Sequence, residues 1–260
     1  MDAATKPGCL LLHGFTGTPF EMQPLAEALA DRGFSVETPL LPGHGTRVEE
    51  LDRLGWSDWR DAALGAFDVL GARTPPVFVA GLSMGGALAL EIARQREPAG
   101  IACLATPLRL YRFLPFIAKD PLLPLVPLFR HLRPLWPVAE KRAESREIAP
   151  WVGYEGVVPL NATHELMRGL RRVRRGLAEV TAPLLVVHSP GDATANVRDA
   201  FEIRRRTGSR IKRLELLPIA ERVTSRHLLT THRETRKRVS ELVCGFFEDL
   251  LSRDGRHPLW

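Results

Sequence analysis

The chain predicts an α/β fold: a mostly parallel, doubly wound sheet with helices on both faces, interrupted by one insertion. Three observations carry this. Short apolar, β-branched runs alternate with helical stretches over most of the chain, with short connections. One run, Val77-Phe78-Val79-Ala80, meets the next helix through Gly81-Leu82-Ser83-Met84-Gly85, a strand-to-helix turn. The alternation stops at Pro107 and resumes near residue 161.

In chain order, Gly8 to Phe15 is a short apolar strand ending in the turn His13-Gly14-Phe15-Thr16-Gly17. Thr18, Pro19 and Glu21 read as N-cap, first helical residue and N3 of a capping box, opening a helix to Arg32 that Gly33 stops. Phe34 to Leu41 is the next strand, followed by the loop Leu41-Pro42-Gly43-His44-Gly45 and a helix from Ser57, its expected cap, to Leu70. After the Ser83 turn come a helix over Ala87 to Arg96 and a strand over Ile101 to Ala105.

Residues 107–137 hold seven prolines amid Leu, Phe, Val and Trp136, which excludes a central strand or a long regular helix. So apolar a stretch needs burial, and we expect a cap over the carboxyl edge of the sheet that lines an apolar pocket. The expected division is a core of 1–106 and 161–260 with a cap at 107–160.

From Thr163 a helix carries Leu166, Met167, Leu170, Val173 and Leu177 on one stripe and Arg168, Arg171, Arg172, Arg174 and Arg175 on its solvated side. The sheet resumes with Ala182 to Ser189, the turn Pro190 to Asn196, a helix over Val197 to Arg206 and a strand over Ile211 to Leu217. Thr231-His232-Arg233-Glu234 reads as a capping box opening the last helix, to about Leu251, with a tail from Gly255 to Trp260.

Composition narrows the function classes. The 260 residues, 45% apolar and 25% charged, bury a core without metals or disulfides. Cys9, Cys103 and Cys244 form no C-x-x-C pair, so zinc and a disulfide framework are not expected; nor is any cofactor. Residues 1–100 carry 8 basic and 13 acidic side chains and the remainder 28 and 17, but the excess is Arg interleaved with Glu, and no nucleic-acid-binding module accompanies it. Neither a charged-then-apolar leader nor a membrane-length apolar run is seen, so a cytoplasmic protein without stable membrane insertion is expected. The sequence assigns no oligomeric state.

The chemistry centres on Ser83. A serine on so sharp a turn takes a strained backbone, and side chains two residues to either side would collide, which is why glycine stands at 81 and 85. The hydroxyl needs a base and a group that orients the base. Of eight histidines, His13 belongs to the glycine turn, His44 to an early loop, His131 and His164 to the insertion region and His257 to the tail, while His188 ends a strand. His227 and His232 follow the last strand; His227 is preferred, because it lies in a loop whereas the capping box fixes His232 on a helix. Asp192, in a turn after a strand end, is preferred as the acid over Asp199 inside a helix. Backbone N–H groups of Phe15 and Met84 are the expected oxyanion donors.

The order Ser83, Asp192, His227 and the segments Leu11-Leu12-His13-Gly14-Phe15-Thr16-Gly17, Leu41-Pro42-Gly43-His44-Gly45, Gly81-Leu82-Ser83-Met84-Gly85-Gly86, Asp192-Ala193-Thr194-Ala195 and Ser225-Arg226-His227-Leu228-Leu229-Thr230 resemble the α/β-hydrolases, and within them bacterial carboxylesterases and monoacylglycerol lipases. The resemblance implies an α/β-hydrolase sheet of about six or seven strands that begins late, lacking the usual first two. It also implies hydrolysis of short- to medium-chain acyl esters or monoacylglycerols through an acyl-enzyme. The competing expectations are a thioesterase, a C–C hydrolase, an aminopeptidase or a non-catalytic binding protein. An aminopeptidase needs an acidic cluster to hold the substrate amine, and the cap shows only Asp120, Glu140, Glu144, Glu147 and Glu155.

Overall fold

The computed structural model describes residues 6–113, 116–118 and 123–254. Met1 to Thr5, Pro115, Asp120, Pro121 and the expected tail with His257 lie outside them.

Among the described residues six strands form one parallel sheet: β1 (Gly8–Leu12), β2 (Ser35–Glu37), β3 (Val77–Leu82), β4 (Gly100–Leu104), β5 (Leu184–His188) and β6 (Lys212–Leu216). Their order is β6-β5-β4-β3-β1-β2. Leu12 pairs with Gly81, Leu82 with Leu104, and Leu104 with Val187, so the carboxyl ends of β1, β3, β4 and β5 are aligned on one edge. Ligands bind outside that edge in such sheets.

Strands that read as uniformly apolar alternate strictly between two cores, as a period-two backbone buried on both faces must. Leu10, Leu12, Val79, Ile101, Cys103, Leu184 and Val186 face one cluster, with Trp59 and Phe67 of α2 (Trp56–Arg73), Leu88 of α3 (Met84–Gln95) and Leu170 of α5 (Leu160–Arg175). Cys9, Leu11, Phe78, Ala80, Ala102, Leu104, Leu185 and Val187 face the other, with Leu25 and Leu29 of α1 (Gln23–Ala30) and Val243, Phe246 and Phe247 of α7 (Arg236–Asp254). Each such large side chain taken out of water contributes about 1.5–3 kcal/mol.

Between β4 and α5 the chain leaves the sheet. It forms two small antiparallel ladders, 111–113 with 116–118 and 135–137 with 157–159, the short helix α4 (Val126–Leu132) and a turn of helix at Ala143–Ile148. Pro127 stands in the first turn of α4, where its missing N–H costs nothing. α6 (Val197–Arg206) spans the expected residues, and its Asn196 cap accepts from Arg198 N.

Several local expectations are corrected. Thr18 makes no side-chain cap; Pro19–Met22 is a 3-10 turn, α1 follows at Gln23–Ala30, and Glu21 turns inward. Gly33 is left-handed (φ 86°) and closes the turn after α1. The second strand is only Ser35–Glu37. α2 starts at Trp56, before Ser57, because Asp58 accepts from Gly55 N at 2.8 Å. The last helix starts at Arg236, so His232 lies in a turn ahead of it, and the Glu234 carboxylate accepts from Ala220 N instead of capping.

Candidate active site

The Ser83 turn has the geometry the glycines demand. Ser83 is at φ 56°, ψ −115°, a left-handed conformation strained for any residue with a Cβ. A Cβ on Gly81 would come within 2.1 Å of the Gly85 carbonyl carbon, and one on Gly85 within 2.0 Å of the Leu12 carbonyl oxygen. Ser83 N donates to Leu104 O at 2.8 Å, fixing the turn on the neighbouring strand end. Met84 opens α3, where the backbone amides are unsatisfied within the helix and the dipole favours negative charge. The four non-glycine residues with positive φ among the described ones are Thr16, Ser83, Ala105 and Arg226; each follows a strand end or precedes a site residue.

Asp192 is fully buried at the side chain and fully engaged. Its Oδ1 accepts from Thr194 N (2.7 Å) and Ala195 N (2.9 Å), while Oδ2 meets His227 Nδ1 at 2.7 Å. That bond holds the proton on Nδ1 and leaves Nε2 as the acceptor. His188 braces the same turn: its Nε2 meets Ala195 O at 3.0 Å, and burial lowers its pKa. Asp199 lies elsewhere, accepting from Leu108 N at 2.9 Å, where it anchors the start of the 107–160 segment to α6.

The long loop before His227 is folded back on itself. Glu221 accepts from Thr224 N at 2.9 Å, from the Thr224 hydroxyl and from Val223 N, and meets His232 Nε2 at 3.1 Å. Ser225 O accepts from Ala193 N at 2.9 Å, joining this loop to the Asp192 turn. The loop's contour is thereby spent in turns, and His227 arrives beside Asp192.

Ser83, His227 and Phe15 line one cavity of about 380 Å3. Among the described residues no hydrogen bond closes from the Ser83 hydroxyl to His227, a contact that commonly tightens only with substrate. The amides of Phe15 and Met84 are likewise not engaged among the described residues. His13 supports the Phe15 turn from beneath. Its Nε2 accepts from Leu41 N (3.1 Å) and its Nδ1 meets Gly14 O (2.9 Å). Burial, with His44 nearby, pushes its pKa down to about 3, so the ring is neutral. Burial likewise lowers His44 to about 4.

One residue of the cavity wall escaped the sequence reading as anything but a cap. Glu21 is 2% exposed; its Oε2 accepts from Gly14 N at 2.7 Å and its Oε1 from Trp151 Nε1 at 2.6 Å. The rest of the wall includes the apolar side chains of Leu110, Leu123, Val138, Val157, Val158 and Leu166 and the polar ones of Thr16, Glu140, Lys141, Tyr154 and Glu155.

A parallel sheet carrying a strained serine at a strand-to-helix turn, with a histidine–carboxylate pair on the same edge, defines the α/β-hydrolase class. The chain belongs to the Hydrolase_4 family, described as serine aminopeptidase, S33, whose model matches residues 3–221. A thermostable monoacylglycerol lipase of Bacillus sp. (strain H-257) is 49% identical over 86 residues, 33% of this chain and 34% of that protein. A carboxylesterase of Bacillus subtilis (strain 168) is 31% identical over 102 residues, 39% of this chain and 42% of that one. The matched stretches thus span well under half the length of these two relatives. A solved structure from a study of LipS and LipT, two metagenome-derived lipolytic enzymes, superposes with a TM-score of 0.81 at 29% identity, covering 95% of each chain. The chain is an esterase- and lipase-like α/β-hydrolase, and no helix among its described residues is long and apolar enough to cross a membrane.

Proposed function

We propose that the chain hydrolyses short- to medium-chain acyl esters, monoacylglycerols among them, with Ser83 as nucleophile, His227 as general base and acid, and Asp192 as the group that orients His227. The observation that carries the reading is the Asp192–His227 bond of 2.7 Å on the cavity that Ser83 also lines. The Ser83 hydroxyl attacks the acyl carbon as its proton passes to His227 Nε2; Asp192 stabilises the imidazolium. The carbonyl oxygen, now an anion, is held by the amides of Phe15 and Met84. His227 returns the proton to the departing alcohol, and a water molecule, deprotonated in the same way, releases the acid from the acyl-serine. The apolar side chains suit an acyl chain and the polar ones a hydroxylated alcohol such as glycerol. Residues 107–160, which contribute side chains of both kinds, act as the cap of a core formed by 1–106 and 161–260.

Aminopeptidase activity is the second reading, favoured by the family's description and by Glu140 and Glu155 on the cavity wall. Both carboxylates pair with the one Arg146 guanidinium, which leaves one net negative charge there rather than two. A reducing compartment such as the cytoplasm suits the chain, whose Cys9, Cys103 and Cys244 are buried and unpaired.

The test is hydrolysis of p-nitrophenyl esters and monoacylglycerols across chain lengths beside aminoacyl p-nitroanilides, with Ser83→Ala as control. Ester turnover that vanishes in Ser83→Ala is expected. Turnover of the anilides alone, or ester turnover unchanged in Ser83→Ala, overturns the reading.

A further inference from the structure

We propose that Glu21 is a positioning residue that pins the Gly14–Phe15 turn to the cap segment Trp151–Tyr154, so that the cap sets where the Phe15 amide points. The inference rests on the oxyanion role proposed above for that amide.

Glu21 spans two parts of the molecule with one carboxylate. One oxygen holds the Gly14 amide, the residue before Phe15, and the other holds the Trp151 indole of the cap. The space around it is full: a Cβ on Gly17 would come within 2.4 Å of Oε1. Lys141 Nζ lies 3.4 Å from the centroid of the same indole, so the ring has a carboxylate at its N–H edge and a cation on its face. Backbone bonds continue the seam, with Tyr154 N donating to Thr16 O (3.0 Å) and the Thr18 hydroxyl to Val152 O (3.2 Å).

A buried carboxylate is costly unless its acceptors are filled, and here two N–H donors fill them. Burial pushes the Glu21 carboxyl up, and the Gly14 amide, Trp151 indole, His227 and Lys141 oppose that rise. No capping role requires this arrangement. The Phe15 side chain is meanwhile fixed against Trp59 (ring centroids 5.7 Å apart) and Gly14 O is met by His13 Nδ1 (2.9 Å), so the core holds the turn from beneath, and the Glu21 bond to Gly14 N adds a tie that reaches the cap. Misdirecting an oxyanion donor slows the chemical step without weakening ground-state binding.

Glutamine separates positioning from simple structural support. Its single carbonyl oxygen cannot serve both donors, and its NH2 faces one of them. Glu21→Gln is expected to lower kcat on p-nitrophenyl butyrate about tenfold or more, with KM changed by less than about threefold. Trp151→Phe removes the cap's donor while leaving the Gly14 bond, so it is expected to lower kcat on its own. The double variant is expected to lose little more than Glu21→Gln alone, because both changes break the same link. Backbone hydrogen exchange in Glu21→Ala supplies an arm independent of turnover: exchange is expected to accelerate together in residues 13–17 and 151–154. Unchanged kcat in Glu21→Gln or in Trp151→Phe, losses that simply multiply in the double variant, or exchange that leaves 151–154 unaffected overturns the proposal. A wild-type protein that turns over no ester removes the ester reading, and the exchange arm alone then decides whether Glu21 joins turn and cap.

Discussion

Two histidine–carboxylate pairs lie close together in this molecule, and they are built in opposite senses. His227 meets Asp192 through Nδ1 at 2.7 Å, and its ring edge faces the cavity. His232, wholly buried, meets Glu221 through Nε2 at 3.1 Å, and its Nδ1 accepts from Glu234 N at 3.1 Å. In the first pair one ring nitrogen is held and the other remains for chemistry. In the second both are consumed, and the ring serves as a rivet between the Glu221 loop and the turn that precedes the last helix. Proximity to a carboxylate therefore does not distinguish a base from a brace; the nitrogen left over does.

The comparison breaks most visibly in turnover. His227→Ala should lower kcat about 10⁴-fold or more with little change in thermal stability, and Asp192→Asn by a similar factor through loss of the Nδ1–H tautomer. His232→Ala should keep kcat within about tenfold of wild type yet cost about 1–3 kcal/mol in urea unfolding, because Glu221 loses a buried partner. If His232→Ala abolishes turnover and His227→Ala does not, the two roles are exchanged.

Stability against pH sharpens the contrast. Burial would raise the Glu221 carboxyl, but the Thr224 hydroxyl and amide, His232 and the Val223 amide outweigh it and hold it down to about 2, against 4.5 when free. A carboxyl held low contributes stability above its free pKa and loses it as pH falls toward the folded value. The melting temperatures of wild type and Glu221→Gln should therefore differ at pH 7 and converge between about pH 4.5 and pH 2. His13 and His44 act in a separate window: held to about 3 and about 4 against 6.5 when free, they refuse protons that the unfolded chain accepts. Stability should thus begin to fall already below about pH 6.5, before any of the Glu221 contribution is lost. The smallest effect belongs to the surface of the 107–160 segment, where Leu132, 73% exposed, should tolerate serine within about 0.5 kcal/mol.

The sheet and the serine turn were legible because each is dictated locally. β-branched runs bounded by turns give strands, and a strained serine needs its glycines at fixed offsets. The caps were misread for the same reason turned around. Thr18-Pro19-Phe20-Glu21 and Thr231-His232-Arg233-Glu234 both satisfy the capping-box pattern, yet each glutamate goes to an amide distant in sequence or on another loop, Gly14 for Glu21 and Ala220 for Glu234. A local pattern cannot register a tertiary donor. Asp192 and His227 could be named from their positions after strand ends, whereas the folding of the Ile219–Arg226 loop depends on Glu221, which no spacing rule singles out.

Thr16, Ser83, Ala105 and Arg226 share an uncommon backbone conformation, and all stand on the carboxyl side of the sheet. The left-handed conformation costs a residue with a Cβ roughly 1 kcal/mol relative to glycine. The molecule is thus unevenly improvable. Glycine at Thr16, Ala105 or Arg226 would relax the folded backbone while loosening the segments around Phe15, Ser83 and His227. Heat resistance without loss of rate has to be engineered from the opposite side, in the helices and turns at the amino ends of the strands.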